Sequence, residues 1–398
     1  MATASAQDGA IDEMVVSARF REESLQDTPL AITAVSGAEM ELRGLTDVTD
    51  LDAFSPSTVI APLGAGWGST AAAFIRGVGL GDNSLSFEPG VPIYIDDVYH
   101  GRPQGAIMDL LDLERVEVLR GPQGTLFGRN AIGGTVRLVS RKPQGDNSGN
   151  IEIQMGSYDQ LNVRGGVDVS LVEDQLMLRV SGSSKQRDGY FKLLDYECVN
   201  GPGTLGDGGT APVQVATDID GAPVYFEPIV LGSELGSQDI RTENGCVVDT
   251  LGDENVQSGR AALRWIVSDA MELNVIGDVT HLRQKGPADK YTLMNGDFGL
   301  WTLWNNLVAG PVYGNDPDGN PIRWDDRFMT DSPYTAYLRY ADDLTNRRWE
   351  NVNNMDHWGV SASMDWDLTD TIHLKSVTAF RKFTNTYGRD SDGSPLPL

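Results

Sequence analysis

The most regular pattern in the chain is an alternation of apolar and polar residues in its second part. From Leu161 to Leu171 apolar side chains recur at every second position, and polar ones such as Arg164 and Asp168 stand between them. A period of two places successive side chains on opposite faces of a β-strand. The same alternation occurs in segments 151–155, 176–181, 261–267, 271–279, 358–368 and 372–374. We therefore predict about seven strands, each with one apolar and one polar face.

The connections between these strands alternate in length. Tight turns are predicted at 173–174, 268–270 and 369–370, and long segments at about 189–257 and 286–354. Short turns at one end and long loops at the other are typical of outer-membrane β-barrels, although alternation alone also suits a soluble sandwich. Because barrels that hold an internal domain reach about 22 strands, we expect an incomplete barrel in a truncated chain.

Residues before about 143 combine helix-like segments with short strands, and none of their apolar runs approaches the roughly 18 residues of a membrane-spanning helix. A membrane location would therefore require a β-barrel. The small residues after Met1 resemble the end of a secretory signal and indicate export only weakly. The net charge of −26 weighs against nucleic-acid binding, since phosphate contacts need an excess of Lys and Arg.

The sequence lacks the residue patterns of an enzyme or a metal site. The four histidines are scattered without metal-ligand spacing, and the segment from Asp316 to Asn320 lacks the glutamate that closes a calcium loop. No nucleophile is paired with a base. We predict neither catalysis, nor a bound metal, nor a cofactor.

Three segments together resemble a known domain. They are LERVEVLRGPQGTLFGRNAIGGTVRLVSRKP at 113–143, VPIYIDDVY at 91–99 and FIRG at 74–77. Residues from about 25 to 143 are therefore similar to the plug of TonB-dependent outer-membrane receptors. The resemblance implies a periplasmic segment at 1–24, an α+β plug at 25–143, and the N-terminal portion of an antiparallel transmembrane β-barrel at 144–398.

The resemblance also implies a TonB box in the N-terminal segment. Such a segment would bind TonB by adding a strand to an exposed sheet edge. An ordinary disordered terminus is the alternative. The predicted TonB-binding residues are Asp12, Glu13, Met14, Val15, Val16, Ser17 and Ala18.

Plug residues are assigned two further roles by the resemblance. Arg76 and Arg120 resemble plug arginines that pair with barrel carboxylates as a latch, the alternative being exposed arginines at strand ends. Ligand contact is expected from outward-facing plug turns and from long surface loops. The candidate ligand-binding residues there are Trp67, Asn83, His100 and Arg102, each of which could equally be a packing or solvated loop residue.

The predicted loop between Leu193 and Val256 is strongly acidic and should repel strongly anionic ligands. Cys198 and Cys246, the two cysteines of the chain, fall within it. On an oxidising cell exterior we expect them to form a disulfide, with two free thiols as the alternative.

The resemblance implies active import across the bacterial outer membrane, with TonB of the inner-membrane complex and outer-membrane lipid as partners. The family's commonest cargo is a ferric siderophore, which is a metal chelate. A vitamin, haem, an oligosaccharide or an aromatic compound is an alternative cargo. A passive pore or a surface-binding β protein is the alternative from another class of function.

Overall fold

The computed structural model describes residues 15–16, 23–45, 48–62, 70–81, 88–102, 112–201, 213–217, 223–226, 245–288, 290, 293, 305, 315–337 and 352–388. A short antiparallel pair, β1 (Val15–Val16) with β2 (Glu23–Ser24), precedes the region that we call the plug, residues 25–143. The remaining strands belong mainly to one large sheet.

The plug contains two small sheets and short helices. Its strands are β3 (Ile32–Ser36), β4 (Thr58–Pro62), β5 (Ala71–Ile75), β6 (Val78–Leu80), β7 (Ile93–Ile95), β8 (Val98–His100), β9 (Leu113–Arg120) and β10 (Gly134–Ser140). Its helices are α1 (Gly37–Arg43), α2 (Gly124–Phe127) and a 3-10 helix at Val48–Ala53. One sheet has the order β3-β9-β10-β7-β8, with β10 parallel to β7, and the other has the order β4-β5-β6.

An apolar core joins the two plug sheets. Val116 and Val118 of β9 and Val136 and Leu138 of β10 occupy alternate positions and pack with Ile75 of β5. Since alternate residues of a strand share a face, the predicted apolar strand face becomes the interior of the plug. All five side chains are buried.

Two glycines allow close packing where β10 begins. A Cβ at Gly133 would lie 2.3 Å from the carbonyl oxygen of Val78, and one at Gly134 would lie 2.3 Å from that of Leu119. Such contacts exclude any side chain, so the Gly133-Gly134 pair is required by the approach of two backbones.

After the plug, the described strands are β11 (Gly149–Gly156), β12 (Gln160–Val172), β13 (Leu176–Arg187), β14 (Phe191–Leu194), β15 (Val213–Thr217), β16 (Pro223–Phe226), β17 (Val247–Leu251), β18 (Glu254–Ser268), β19 (Met271–Gln284), β20 (Thr335–Tyr337), β21 (Val352–Thr369) and β22 (Ile372–Gly388). Seven of them form an antiparallel sheet, the wall sheet, in the order β11-β12-β13-β18-β19-β21-β22. In the described part of the chain its edge strands β11 and β22 do not pair, so the sheet is open. The predicted fold, a plug followed by strands of an incomplete barrel, is confirmed.

The three predicted tight turns join β12 to β13, β18 to β19, and β21 to β22. They lie at one end of the wall sheet. At the other end, residues 157–159 make a short turn between β11 and β12, so the first connection there does not follow the predicted long-loop pattern. Tyr158 and Asp159 both have positive φ, at 61° and 52°, which suits a tight hairpin.

Parts of the two long connections fold together. Strands β14, β17 and β20 form a three-stranded sheet, with β14 antiparallel to β17 and parallel to β20. Phe191, Leu193 and Leu251 form its apolar centre, and helix α3 (Tyr196–Asn200) follows β14. Among the described residues no helix has the length and hydropathy that a membrane span requires.

The wall sheet buries its polar face. Asp168, Arg179 and Asn274 are almost fully buried, whereas Met155 is 80% exposed and Phe380 is 60% exposed on the other face. The buried polar side chains point towards the plug, which places the candidate site between the two units.

Candidate functional site

Charged pairs join the plug to the wall sheet. Arg179 of β13 holds Asp112 in a bidentate contact, with Nη2 to Oδ1 at 2.6 Å and Nε to Oδ2 at 2.7 Å. Lys142 at the end of the plug reaches Glu272 of β19 at 3.0 Å. These contacts require polar residues at inward positions of the strands, which is where the alternation places them.

The turn between β7 and β8 makes two further contacts with the wall. Asp96 accepts hydrogen bonds from the Ser140 backbone N–H at 2.9 Å and hydroxyl at 3.0 Å, and it also pairs with Arg260 of β18. Asp97 pairs with Arg137 of β10 at 2.5 Å and with Lys375 of β22 at 2.8 Å. Each aspartate therefore binds one group of the plug and one cation of the wall.

A line of buried charges continues from this turn into the plug sheet. Arg137 Nη1 lies 2.6 Å from Glu117 Oε2, and Arg115 Nε lies 2.9 Å from Glu117 Oε1. Burial would raise the pKa of Asp97, but the positive charges of Arg137 and Lys375 outweigh it and hold the pKa below its usual value. Asp97 thus stays ionised when it faces the wall.

His100 follows in β8 and also faces the wall. Its ring centroid lies 5.9 Å from that of His357 in β21, and its Nε2 is buried without a hydrogen-bond partner among the described residues. Burial, followed by the charges of Arg381 and His357, lowers the pKa of His100 to about 3. Arg381 is itself paired with Asp278 of β19 at 2.9 Å. His100 is therefore neutral at ordinary pH.

A cleft of about 840 Å³ lies between the plug and strands β18, β19, β21 and β22. Charged residues from both units line it. They include Asp97, Arg137, Lys142, Glu272, Asp365 and Lys375. Apolar side chains such as Val139 and Ile276 complete the lining.

Comparison with known proteins identifies the plug. The family model described as "TonB-dependent Receptor Plug Domain" matches residues 24–135.

This chain carries a TonB-dependent receptor plug domain.

Curated relatives extend the likeness beyond the plug. The "Iron-regulated outer membrane virulence protein" of Vibrio cholerae serotype O1 is 34% identical over 202 residues, which are 47% of this chain and 30% of that protein. The "Ferrioxamine B receptor" of Salmonella typhimurium is 29% identical over 177 residues, 43% of this chain and 24% of the receptor. The chain thus spans about a third or less of these relatives' length.

Solved structures share the fold of both the plug and the wall sheet. The ferric yersiniabactin uptake receptor of Yersinia pestis matches with a TM-score of 0.57 and 18% identity, over 91% of this chain and 42% of that one. The ferripyoverdine receptor of Pseudomonas aeruginosa, bound to ferripyoverdine, matches with a TM-score of 0.59 and 14% identity, over 96% and 38%. The predicted resemblance to TonB-dependent outer-membrane receptors is confirmed.

The predicted TonB box lies partly within the described residues. Val15 and Val16 form β1, where Val15 is opposite Ser24 and Val16 is opposite Glu23. Val16 is fully buried, whereas Val15 is exposed. The other predicted TonB-binding residues, which are Asp12, Glu13, Met14, Ser17 and Ala18, lie outside the described residues.

The two predicted latch arginines lie at the ends of plug strands. The Arg76 guanidinium packs beside Gly121, where a Cβ would lie 3.2 Å from Nη1. Arg120 Nε is buried without a hydrogen-bond partner in the described part of the structure. In those same ranges neither arginine pairs with a wall carboxylate, so the pairing of Arg76 and Arg120 with the barrel stays a prediction.

Two of the four predicted ligand residues can be placed. His100 is turned towards the wall, as described above. Arg102 lies near Glu88, whose pKa is lowered first by a hydrogen bond from Asn130 and to a smaller extent by the charges of Arg129 and Arg102. Trp67 and Asn83 lie outside the described residues, and the ligand role of all four stays a prediction.

Cys198 and Cys246 form a disulfide in the structure, with their Cα atoms 5.6 Å apart. It lies beside the sheet formed by the two long connections. Tyr196 of this region packs edge-to-face on Phe328 and Tyr337, and burial raises the pKa of Tyr196 to about 12. Intact-mass analysis after alkylation should find no free thiol, and two alkylated cysteines would contradict the bond.

Sequence reasoning missed the aspartates that meet the wall. Asp96 and Asp97 stand within the quoted VPIYIDDVY segment but were given no role. They could have been noticed in the sequence as two adjacent acidic residues at a hairpin turn, where Asn-Gly or Asp-Gly is favoured. Among the described residues no group of three or more His, Cys, Asp or Glu side chains could hold a metal ion.

Proposed function

We propose that this chain belongs to an importer of the bacterial outer membrane that is driven by TonB. The observation that carries the proposal is a plug domain held by charged contacts against the buried polar face of an antiparallel sheet whose other face is apolar. An apolar outer face and a polar inner face suit strands that stand between lipid and a wet lumen. A pore for passive diffusion needs no plug.

A ferric siderophore is the proposed cargo. Two observations support this choice: a relative is named "Ferrioxamine B receptor", and a solved structure of the same fold is bound to ferripyoverdine. The acidic connection between Leu193 and Val256 would disfavour strongly anionic chelates at low ionic strength. The proposed activity is transport without catalysis.

Energy would enter through the segment that contains β1. We propose that residues 12–18 add as a strand to TonB, in which case β1 must exchange its partner β2 for TonB. Main-chain hydrogen bonds would supply the affinity. Proline at position 15 removes one main-chain donor and disfavours the strand.

The test is uptake of a radiolabelled ferric siderophore by cells that express the protein from its own gene. Val15→Pro should abolish energised uptake and leave binding of the chelate to the cell surface intact. Val15→Ala is the matched control, because it keeps the main-chain donor and should retain uptake. Normal uptake by the proline variant would reject the role of residues 12–18.

A proton uncoupler separates active import from passive flow. Uptake through the wild-type protein should stop when the inner-membrane gradient is collapsed. Uptake that continues at the same rate would show a passive pore and would overturn the proposed function.

A further inference from the structure

The turn between β7 and β8 has a costly conformation. Asp96 and Asp97 are its two central residues, and both have positive φ, at 47° and 65°. A two-residue hairpin turn of this kind favours Asn-Gly or Asp-Gly, so Asp96 suits its position, whereas Asp97 stands where glycine is favoured. Strain of this kind persists where the surrounding structure holds it and is concentrated at functional sites. The turn alone therefore accounts for Asp96, and the carboxylate of Asp97 is explained by its contacts.

Both carboxylates bridge the plug and the wall. Asp96 is anchored within the plug by Ser140 and reaches Arg260 of β18. Asp97 is anchored by Arg137 and reaches Lys375 of β22. Because β19 and β21 separate β18 from β22 in the sheet, one short turn binds the wall at two well-separated strands.

The surroundings favour a contact that holds firmly but can be broken. The turn lines the cleft between the plug and the wall sheet, so the charged groups would meet water once they part. Within the closed structure the side chains of Asp97, Arg137 and Arg260 are largely buried, where charge pairs attract more strongly than in water.

We propose that the Asp96-Asp97 turn is a charge latch that keeps the plug closed against the wall through Arg260 and Lys375. This inference rests on the proposed function, and it adds a second latch to the one predicted at Arg76 and Arg120. The charges are reversed relative to that predicted latch, because here the plug supplies the carboxylates and the wall supplies the cations.

The first experiment neutralises the turn in the protein produced from its own gene. Asp96→Asn with Asp97→Asn keeps side-chain size and suits positive φ, but it weakens both wall contacts. Loss of buried charge pairs shifts a closed-to-open equilibrium strongly, so we expect ion conductance in planar bilayers to rise about tenfold or more. Glu41→Gln is the matched control: Glu41 pairs with Arg141 within the plug, and conductance should not change.

The second experiment tests the Asp97–Lys375 pair itself. Lys375→Gln should raise conductance, and Lys375→Arg should not, because it keeps the charge. The double variant Asp97→Asn with Lys375→Gln should have a conductance close to that of either single variant, because the effects of substituting two residues that act as a pair are not additive. If the Asn variants fail to assemble, Arg260→Gln with Lys375→Gln weakens the same contacts from the wall side.

The outcomes separate the latch from the proposed function. Unchanged conductance in the neutralised turn, with normal amounts of assembled protein, would overturn the latch. Fully additive effects of Asp97→Asn and Lys375→Gln would overturn their pairing. Conductance that behaves as expected in a protein that imports no ferric siderophore would retain the latch and reject the importer.

Discussion

The plug and the wall sheet are built from strands with the same period of two, but they bury opposite faces. In β10 of the plug, Val136 is fully buried in the apolar core. In β12 of the wall sheet the buried position is Asp168, while Val167 beside it is exposed. The alternation defines two faces in both units, and only their surroundings decide which face turns inward.

This inversion affects how the two units hold together. The plug is held internally by apolar packing, whereas the contacts that join it to the wall include several ion pairs beside a cleft. Apolar packing resists separation in water, while charged groups regain hydration when they part. The junction is therefore expected to open before the plug interior unfolds.

The largest expected effect concerns the buried charges inside the plug. Glu117 is fully buried between Arg115 and Arg137, so Glu117→Gln leaves buried positive charge poorly compensated. We expect a loss of about 3–5 kcal/mol in the free energy of unfolding of the plug, measured by hydrogen exchange in the purified protein. Glu117→Leu combined with Arg137→Met should cost much less. An equal loss in both variants would show that the pair is needed for more than charge balance.

A smaller effect is expected on the outer face of the wall sheet. Phe380 is exposed and packs beside Trp358 at a centroid distance of 5.4 Å. If this face meets lipid, Phe380→Arg should destabilise the protein in vesicles by about 2–4 kcal/mol, as judged by its urea midpoint. In water the same change would cost only about 0.5 kcal/mol or less. Thr371→Arg, in the turn before β22, is the control and should be tolerated.

The smallest effect, when taken per pH unit, is a pH dependence at the junction. Burial, followed by the charges of Arg381 and His357, lowers the pKa of His100 from its ordinary value of 6.5 to about 3. As pH falls below 6.5 the unfolded or detached form gains a proton that the closed form does not, so stability is lost between about pH 6.5 and 3. Uptake of one such proton lowers the free energy of unfolding by up to about 1.4 kcal/mol for each pH unit.

His100→Gln should flatten this slope when hydrogen exchange of β8 is followed from pH 7 to pH 4. The other charged groups around the position, Arg381, Asp278 and His357, are retained in that variant. An unchanged pH dependence would show that His100 does not titrate on detachment.

The sequence by itself determined the strands of the wall sheet and the family of the plug. Alternation reports directly on which side chains share a face, and segments 74–77, 91–99 and 113–143 carry a specific resemblance that the family match confirms. Three of the turns were also predicted, because they are short and polar.

Only the tertiary structure decided which charges meet. Asp96 and Arg260 are 164 residues apart, and a period of two shows that Arg260 faces inward without showing what lies opposite. The same holds for Arg179 with Asp112 and Lys375 with Asp97. Partners across an interface depend on how the plug is rotated within the curve of the strands, and that orientation is a property of the packed molecule rather than of any local segment.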